Sequence, residues 1–128
     1  MIESELRTHL LTESTITSLV GARIYPVLLP QAPTFPAMTY QRVSGSRVQS
    51  LTGPSGMAHP RFQIDCWAQT YDGAKELAAA VMTELDGYRG TMGDTRVGGV
   101  IVYGDRDIYE PDVEIFRVTI DITIWHDQ

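Results

Sequence analysis

The sequence predicts an α+β fold: an antiparallel sheet of four strands, five if Arg23–Pro26 adds one, with a long helix and short N-terminal helices packed on one face. Three observations predict it. Phe116, Val118, Ile120, Ile122 and Ile124 alternate strictly with Arg117, Thr119, Asp121 and Thr123, the period-two pattern of a strand with one apolar side. Ala74, Leu77, Ala78, Val81 and Leu85 fall on one face of a helix over Tyr71–Leu85. Ile2, Leu6 and Leu10 recur every four residues behind Glu3 and Glu5, giving a short amphipathic helix at the start.

In chain order, a second short helix follows. Ser14 or Thr15 can cap it, Ile16, Leu19 and Val20 give it an apolar side, and Gly21 stops it. Pro26, Pro30, Pro33 and Pro36 forbid a regular ladder, so residues 27–36 read as an extended, ordered connector. Strand character returns over Ala37–Gln49. It appears again over Arg61–Ala68, where Phe62, Ile64 and Cys66 alternate with Arg61, Gln63 and Asp65. The two form a long hairpin over about 37–68 whose tip, residues 50–60, is rich in Gly, Pro and Ser and adds little to a core. Thr70 or Asp72 can cap the long helix and Gly87 ends it. A turn-rich stretch with Gly87, Gly90 and Gly93 precedes strands at Val97–Tyr103 and Glu114–Trp125. The 128 residues form a single domain, 1–128, with no internal repeat, a length that buries roughly two thirds of the unfolded surface.

Composition limits the function. An apolar fraction of 43% and a charged fraction of 20% are ordinary globular values. No apolar run is long enough for a membrane-spanning helix, and Met1-Ile2-Glu3-Ser4-Glu5 lacks the basic start of a signal peptide, so a cytoplasmic protein without membrane partners is expected. The net charge of −6 argues against nucleic-acid binding as the main task. Its distribution is uneven. Residues 1–64 carry five Arg against three Glu, a net of +2, and residues 65–128 carry five basic against thirteen acidic side chains, a net of −8. Such polarity suits head-to-tail association, although solvated carboxylates account for it equally well.

No constellation for chemistry emerges, so no catalytic residue, cofactor or metal ligand is assigned. His9, His59 and His126 have no ligand-spaced partner. Cys66 occupies an inward strand position, that of a small core residue rather than a nucleophile. Asp105, Asp107, Glu110, Asp112 and Glu114 lack the glycine and spacing of a calcium loop and read as carboxylates around a solvent-facing turn at Pro111-Asp112. Gly53/Gly56 and Gly98/Gly99 lack the context of a phosphate cradle.

Several strings, in this order, carry a family likeness: Val20-Gly21-Ala22-Arg23-Ile24-Tyr25-Pro26, Pro36-Ala37-Met38-Thr39-Tyr40-Gln41-Arg42, Arg61-Phe62-Gln63-Ile64-Asp65-Cys66-Trp67-Ala68 leading through Tyr71, Leu85-Asp86-Gly87, Tyr109-Glu110-Pro111, and Ile124-Trp125-His126. Along nearly the whole chain the sequence resembles the tail-completion or head-tail joining proteins, tail-terminator-like, of long-tailed bacteriophages and prophages. The resemblance implies a virion structural protein with no active site. It implies a homo-oligomeric ring, commonly a hexamer, assembled in the host cytoplasm and placed at the head-tail junction. There it would end tail-tube growth, meet the tail-tube protein and the head connector, and let DNA pass without specific binding. A small non-enzymatic binding or regulatory α+β module is the alternative, and an enzyme the least supported reading.

Candidate subunit-interface residues are Arg42, Arg47, Gln49, Trp67 and Trp125. By strand parity both tryptophans lie on the polar side of the sheet, where they need cover from a loop such as the proline connector or from a neighbouring subunit. The run Arg42, Ser44, Ser46, Arg47, Gln49 is extended and polar, unsuited to burial in its own domain and suited to reaching a neighbour or lining a ring.

Overall fold

The chain was analysed as a computed structural model that describes residues 1–44, 47–50 and 53–127, with side chains described for 1–44 and 58–127. The elements run α1 (Ile2–Leu11), α2 (Ser14–Val20), β1 (Ile24–Pro26), β2 (Ala37–Ser44), β3 (Arg47–Ser50), β4 (Gly53–Ala58), β5 (Arg61–Ala68), α3 (Tyr71–Leu85), β6 (Gly90–Met92), β7 (Thr95–Glu110) and β8 (Ile115–Asp127).

All eight strands join one sheet. β3 continues the line of β2, and β4 that of β5, so the sheet has six lanes: β1, β2/β3, β4/β5, β8, β7 and β6. It is mixed, because β1 pairs with β2 in parallel, Ile24 opposite Met38 and Pro26 opposite Tyr40. The sheet curls into a half-barrel with three helices. Register shifts between Val97 and Gly99 and between Val102 and Gly104 interrupt the β7 ladder, and bulges of this kind bend a strand and raise its twist.

This architecture corrects the expected antiparallel four- or five-stranded sheet in three places. β1 is parallel, which alternation within a three-residue strand cannot reveal. The supposed hairpin tip contains β4 despite its glycines and proline, while β3 falls at the end of the strand expected over Ala37–Gln49, and the glycine-rich stretch after α3 contains β6. β7 is also far longer than expected, 16 residues, and carries the acidic residues through Glu110 as strand.

The helices and the inner sheet face form one core. Leu6 and Leu10 of α1, Ile16 and Val20 of α2, and Leu77, Val81 and Leu85 of α3 pack with Met38, Phe62, Ile64, Cys66, Ile120, Ile122 and Ile124. Thr70 caps α3, its hydroxyl accepting the Gly73 amide at 3.0 Å. α2 begins differently from expectation: Glu13 is the residue before its first turn, and its side chain makes no capping bond. Arg7 ties α1 to the edge strand, its Nε donating to the Ile24 carbonyl at 2.8 Å. Glu5 accepts a hydrogen bond from Thr95, joining α1 to the start of β7.

Candidate assembly surfaces

Parallel pairing of β1 with β2 sets the first surface. To enter β2 from the same end as β1, the chain must double back over residues 27–36. Arg23 fastens the far end of this return, its Nε donating to the Pro36 carbonyl at 2.9 Å. Leu29, Pro33 and Phe35 of the return line a cavity of about 320 Å³ together with Trp67 and Ile115. The proline connector therefore lies against Trp67 on the outer sheet face. The indole is held further by its Nε1–H, which donates to Thr39 at 3.0 Å, and by the Arg117 guanidinium 4.9 Å from its ring centre.

Around Trp67 the outer face is a polar lattice. Thr39, Asp65, Thr119 and Arg106 form one row across four strands. Thr119 donates to Asp65 at 2.6 Å and the Gln63 amide donates to the same carboxylate at 3.1 Å. Arg106 pairs with Asp121 and Arg117 with Glu110, each at 2.8 Å. Thr123, 1% exposed, has no partner for its hydroxyl among the described residues.

The predicted interface residues fall at two separate ends of the sheet. Arg42, opposite Phe62, is exposed near the base of the hairpin and borders a cleft of about 420 Å³ with Pro26, Val27 and Tyr40. Arg47 and Gln49 lie further out on β3, with backbone partners Ala58 and Pro54, and their side chains fall outside the described residues. Trp125 lies toward the same end and stacks on His59 at 4.4 Å. Trp67 is at the opposite end. Both tryptophans thus have cover from their own chain.

Sequence reasoning missed a second surface at the Trp67 end. Because the shift near Gly104 resets the strand's parity, Asp105, Asp107 and Tyr109 turn toward α3 while Arg106 and Ile108 face outward. Asp107 accepts bonds from the Tyr71 hydroxyl at 2.7 Å and the Lys75 ammonium at 3.0 Å. Those two donors hold its carboxyl below the ordinary range, and the same bonds raise the Tyr71 phenol and the Lys75 ammonium. Phe116 sits between Tyr71 and Tyr109, with ring centres 5.9 and 4.9 Å away. The acidic cluster is therefore divided: only Asp112 and Glu114 belong to the turn itself. The available sign was the alternation Asp105, Asp107, Tyr109, obscured by the bulge.

The remaining candidates for chemistry stay apart. Cys66 is fully buried and burial pushes its thiol strongly upward, away from the reactive thiolate. His9 packs on Tyr88 at 4.3 Å with Glu13 at 3.5 Å; burial lowers its pKa more than Glu84 raises it. Among the described residues no group of three or more His, Cys, Asp or Glu could hold a metal ion, and no helix is long and apolar enough to cross a membrane.

Comparison with curated proteins finds no match. Among solved structures, a chain of the "Virion of native gene transfer agent (GTA) particle" is similar, with a TM-score of 0.76 and 18% identity, covering 99% of this chain and 92% of that one. At that identity the likeness establishes the fold. The family model described as "Tail completion protein gp17" matches residues 4–127. The chain belongs to this family and is a structural protein of a bacteriophage-type tail.

Proposed function

We propose that the protein is a ring-forming, non-enzymatic tail-completion subunit at the head-tail junction, where it ends tail-tube growth and docks to the head connector. The observation that carries this reading is the hairpin. Among the described residues β4 pairs with β8 at Met57 and Ala58, opposite Asp127 and His126, and residues 53–56 run on past that ladder, with Gln49 and Ser50 of β3 paired to Pro54 and Gly53. An arm of this kind offers backbone and side chains to a neighbour while the core stays closed without it. The ring is most simply a hexamer, assembled in the host cytoplasm before joining the particle. The fold shared with a chain of a gene transfer agent virion is consistent with that setting. A neutral or acidic channel wall would let DNA pass, since phosphate affinity needs clustered Lys and Arg.

Electron microscopy of the protein mixed with tail tubes from the same source tests the proposal. Capped tubes of uniform length are expected; unregulated tubes with no bound subunit would overturn it. Replacing residues 48–56 by a two-residue glycine turn, which spares the β4 residues bonded to β8, should leave a folded protein that no longer caps tubes. Trp125, stacked on His59, would then stiffen the base of the arm and Trp67 the opposite end of the sheet, rather than serve as free anchors.

A further inference from the structure

The edges of the sheet differ in how their backbone is used. On β1, Tyr25 bonds toward β2, and Ile24 and Pro26 face away from it. The Ile24 N–H donates to the Ala22 carbonyl and its carbonyl accepts from Arg7, each at 2.8 Å. Pro26 has no N–H, and its carbonyl accepts the Leu28 N–H at 2.7 Å, so this edge is closed. β6 is only three residues long, and the carbonyl of its middle residue, Thr91, takes the Tyr88 hydroxyl at 2.9 Å. β7 is closed along its first half, where the Val100 carbonyl accepts the Gly87 N–H at 2.8 Å and the Val102 N–H donates to Asp86 at 3.2 Å. Beyond the register shift at Tyr103 it is open. The Ile124 N–H donates to the Pro60 carbonyl, so the even-numbered residues of β8 bond toward β5 and the odd-numbered ones toward β7. Gly104, Arg106, Ile108 and Glu110 stand opposite odd-numbered residues of β8 and therefore bond to that strand. The N–H and C=O groups of Asp105, Asp107 and Tyr109 point away from the sheet, with no hydrogen-bond partner among the described residues.

An open edge invites another strand, and charged side chains restrict which strand can add. We propose that the open half of β7 is a self-pairing surface: two free copies join it antiparallel across a two-fold axis at Ile108. The charges favour this register over its neighbours. Centring the pair on Arg106 would set Arg106 against its own copy and Asp105 against Asp107, and centring it on Asp107 would set two Asp107 side chains face to face. Centring it on Tyr109 would bring Asp107 opposite Pro111, which has no N–H to give. Centred on Ile108, the two isoleucines meet, Asp107 faces the second copy's Tyr109, and Arg106 faces the second copy's Glu110. Arg106 already pairs with Asp121 and Glu110 with Arg117, each at 2.8 Å. Across the seam the order Asp121, Arg106, Glu110, Arg117 alternates in sign, so neither existing pair has to break. α3 packs mainly on β8 and β5, which leaves the β7 side clear for a second sheet. Two-fold pairing consumes both open edges and stops at two, which guards the chain against open-ended strand addition. The contact goes beyond the ring reading and does not rest on it. A ring with unlike neighbours on its two faces needs head-to-tail joints, whereas this pair belongs to the free protein. The seam is short, so the pair is weak and can open when a subunit enters the particle.

Cross-linking and sedimentation of the purified protein test the contact. In the expected register the two Ile108 positions form a non-hydrogen-bonded pair with Cα atoms about 4.5 Å apart, within reach of a disulfide. Under mild air oxidation Ile108→Cys should therefore give a covalent dimer. Ile101→Cys, 47% exposed on the closed half of the same strand, should stay monomeric, and the buried Cys66 does not compete. Tyr109→Pro removes an edge N–H without touching the β8 ladder, and Tyr109→Ala, which keeps that N–H, controls for the lost ring. The proline variant should need at least about tenfold more protein than the alanine variant to reach half-dimer in sedimentation. A parent that stays monomeric at every concentration, or Ile101→Cys that cross-links as readily as Ile108→Cys, would overturn the proposal. An oligomer that Tyr109→Pro leaves as strong as Tyr109→Ala does would also overturn it while leaving the ring reading intact. Tail tubes that the protein fails to cap would sink the ring reading without touching this contact.

Discussion

The two faces of β5 and β8 both bury side chains, but by different means. Under the helices, Phe62, Ile64, Ile120, Ile122 and Ile124 are fully buried among aliphatic and aromatic neighbours. On the outer face of the same strands, Thr119, Thr123 and Asp65 are 0, 1 and 5% exposed although the face is polar. There the cover is a lattice of Arg106, Asp121, Gln63, Arg117 and Trp67, joined by the proline connector. The inner face is held mainly by area removed from water, which is large and non-directional. The outer face depends on directional bonds, each modest in net effect but costly when one partner is removed. Stability is thus concentrated on one side, leaving the other to present charge and shape.

The sharpest way to break this comparison is to empty the inner face. Phe62→Ala should destabilise by about 3–5 kcal/mol in chemical denaturation, because the helix-covered site cannot fully collapse around the cavity. A cost near 1 kcal/mol would mean that the inner face is not the main store of stability. Thr119→Val should cost about 1.5–3 kcal/mol by depriving the buried Asp65 carboxylate of a donor.

Thr123→Val, nearly the same change four residues later on the same face, should raise stability by about 1 kcal/mol, since it removes a buried hydroxyl without a partner. Opposite signs for the two threonines would locate the lattice by its bonds rather than by polarity; equal costs would refute it. Arg106→Ala should be smallest, below about 1 kcal/mol and weaker in high salt, because its pair with Asp121 is largely open to solvent.

How much was legible depended on how local each feature is. The extent of α3 could be read from Ala74, Leu77, Ala78, Val81 and Leu85 with Thr70 before them, because helical spacing and a capping hydroxyl act within one turn. The inward parity of Phe62, Ile64 and Cys66 and of Val118 through Ile124 was legible for the same reason. The interface candidates were legible as residue types in odd places, but not as a site. Arg42 and Trp67 sit on neighbouring lanes of one hairpin yet near opposite ends of the sheet, a separation that register sets.

The sequence by itself determined which side of each regular strand is greasy, where the long helix starts and stops, and that the charge is divided between the two halves of the chain. Only the tertiary structure decided the parallel edge strand, the connector laid over Trp67, and the bulge that sends Asp105, Asp107 and Tyr109 toward α3. Periodicity is written by side chains a few residues apart. The pairing of lanes, the parity after a bulge and the distance between opposite charges depend on residues remote in the chain, and they acquire values only when the sheet is assembled.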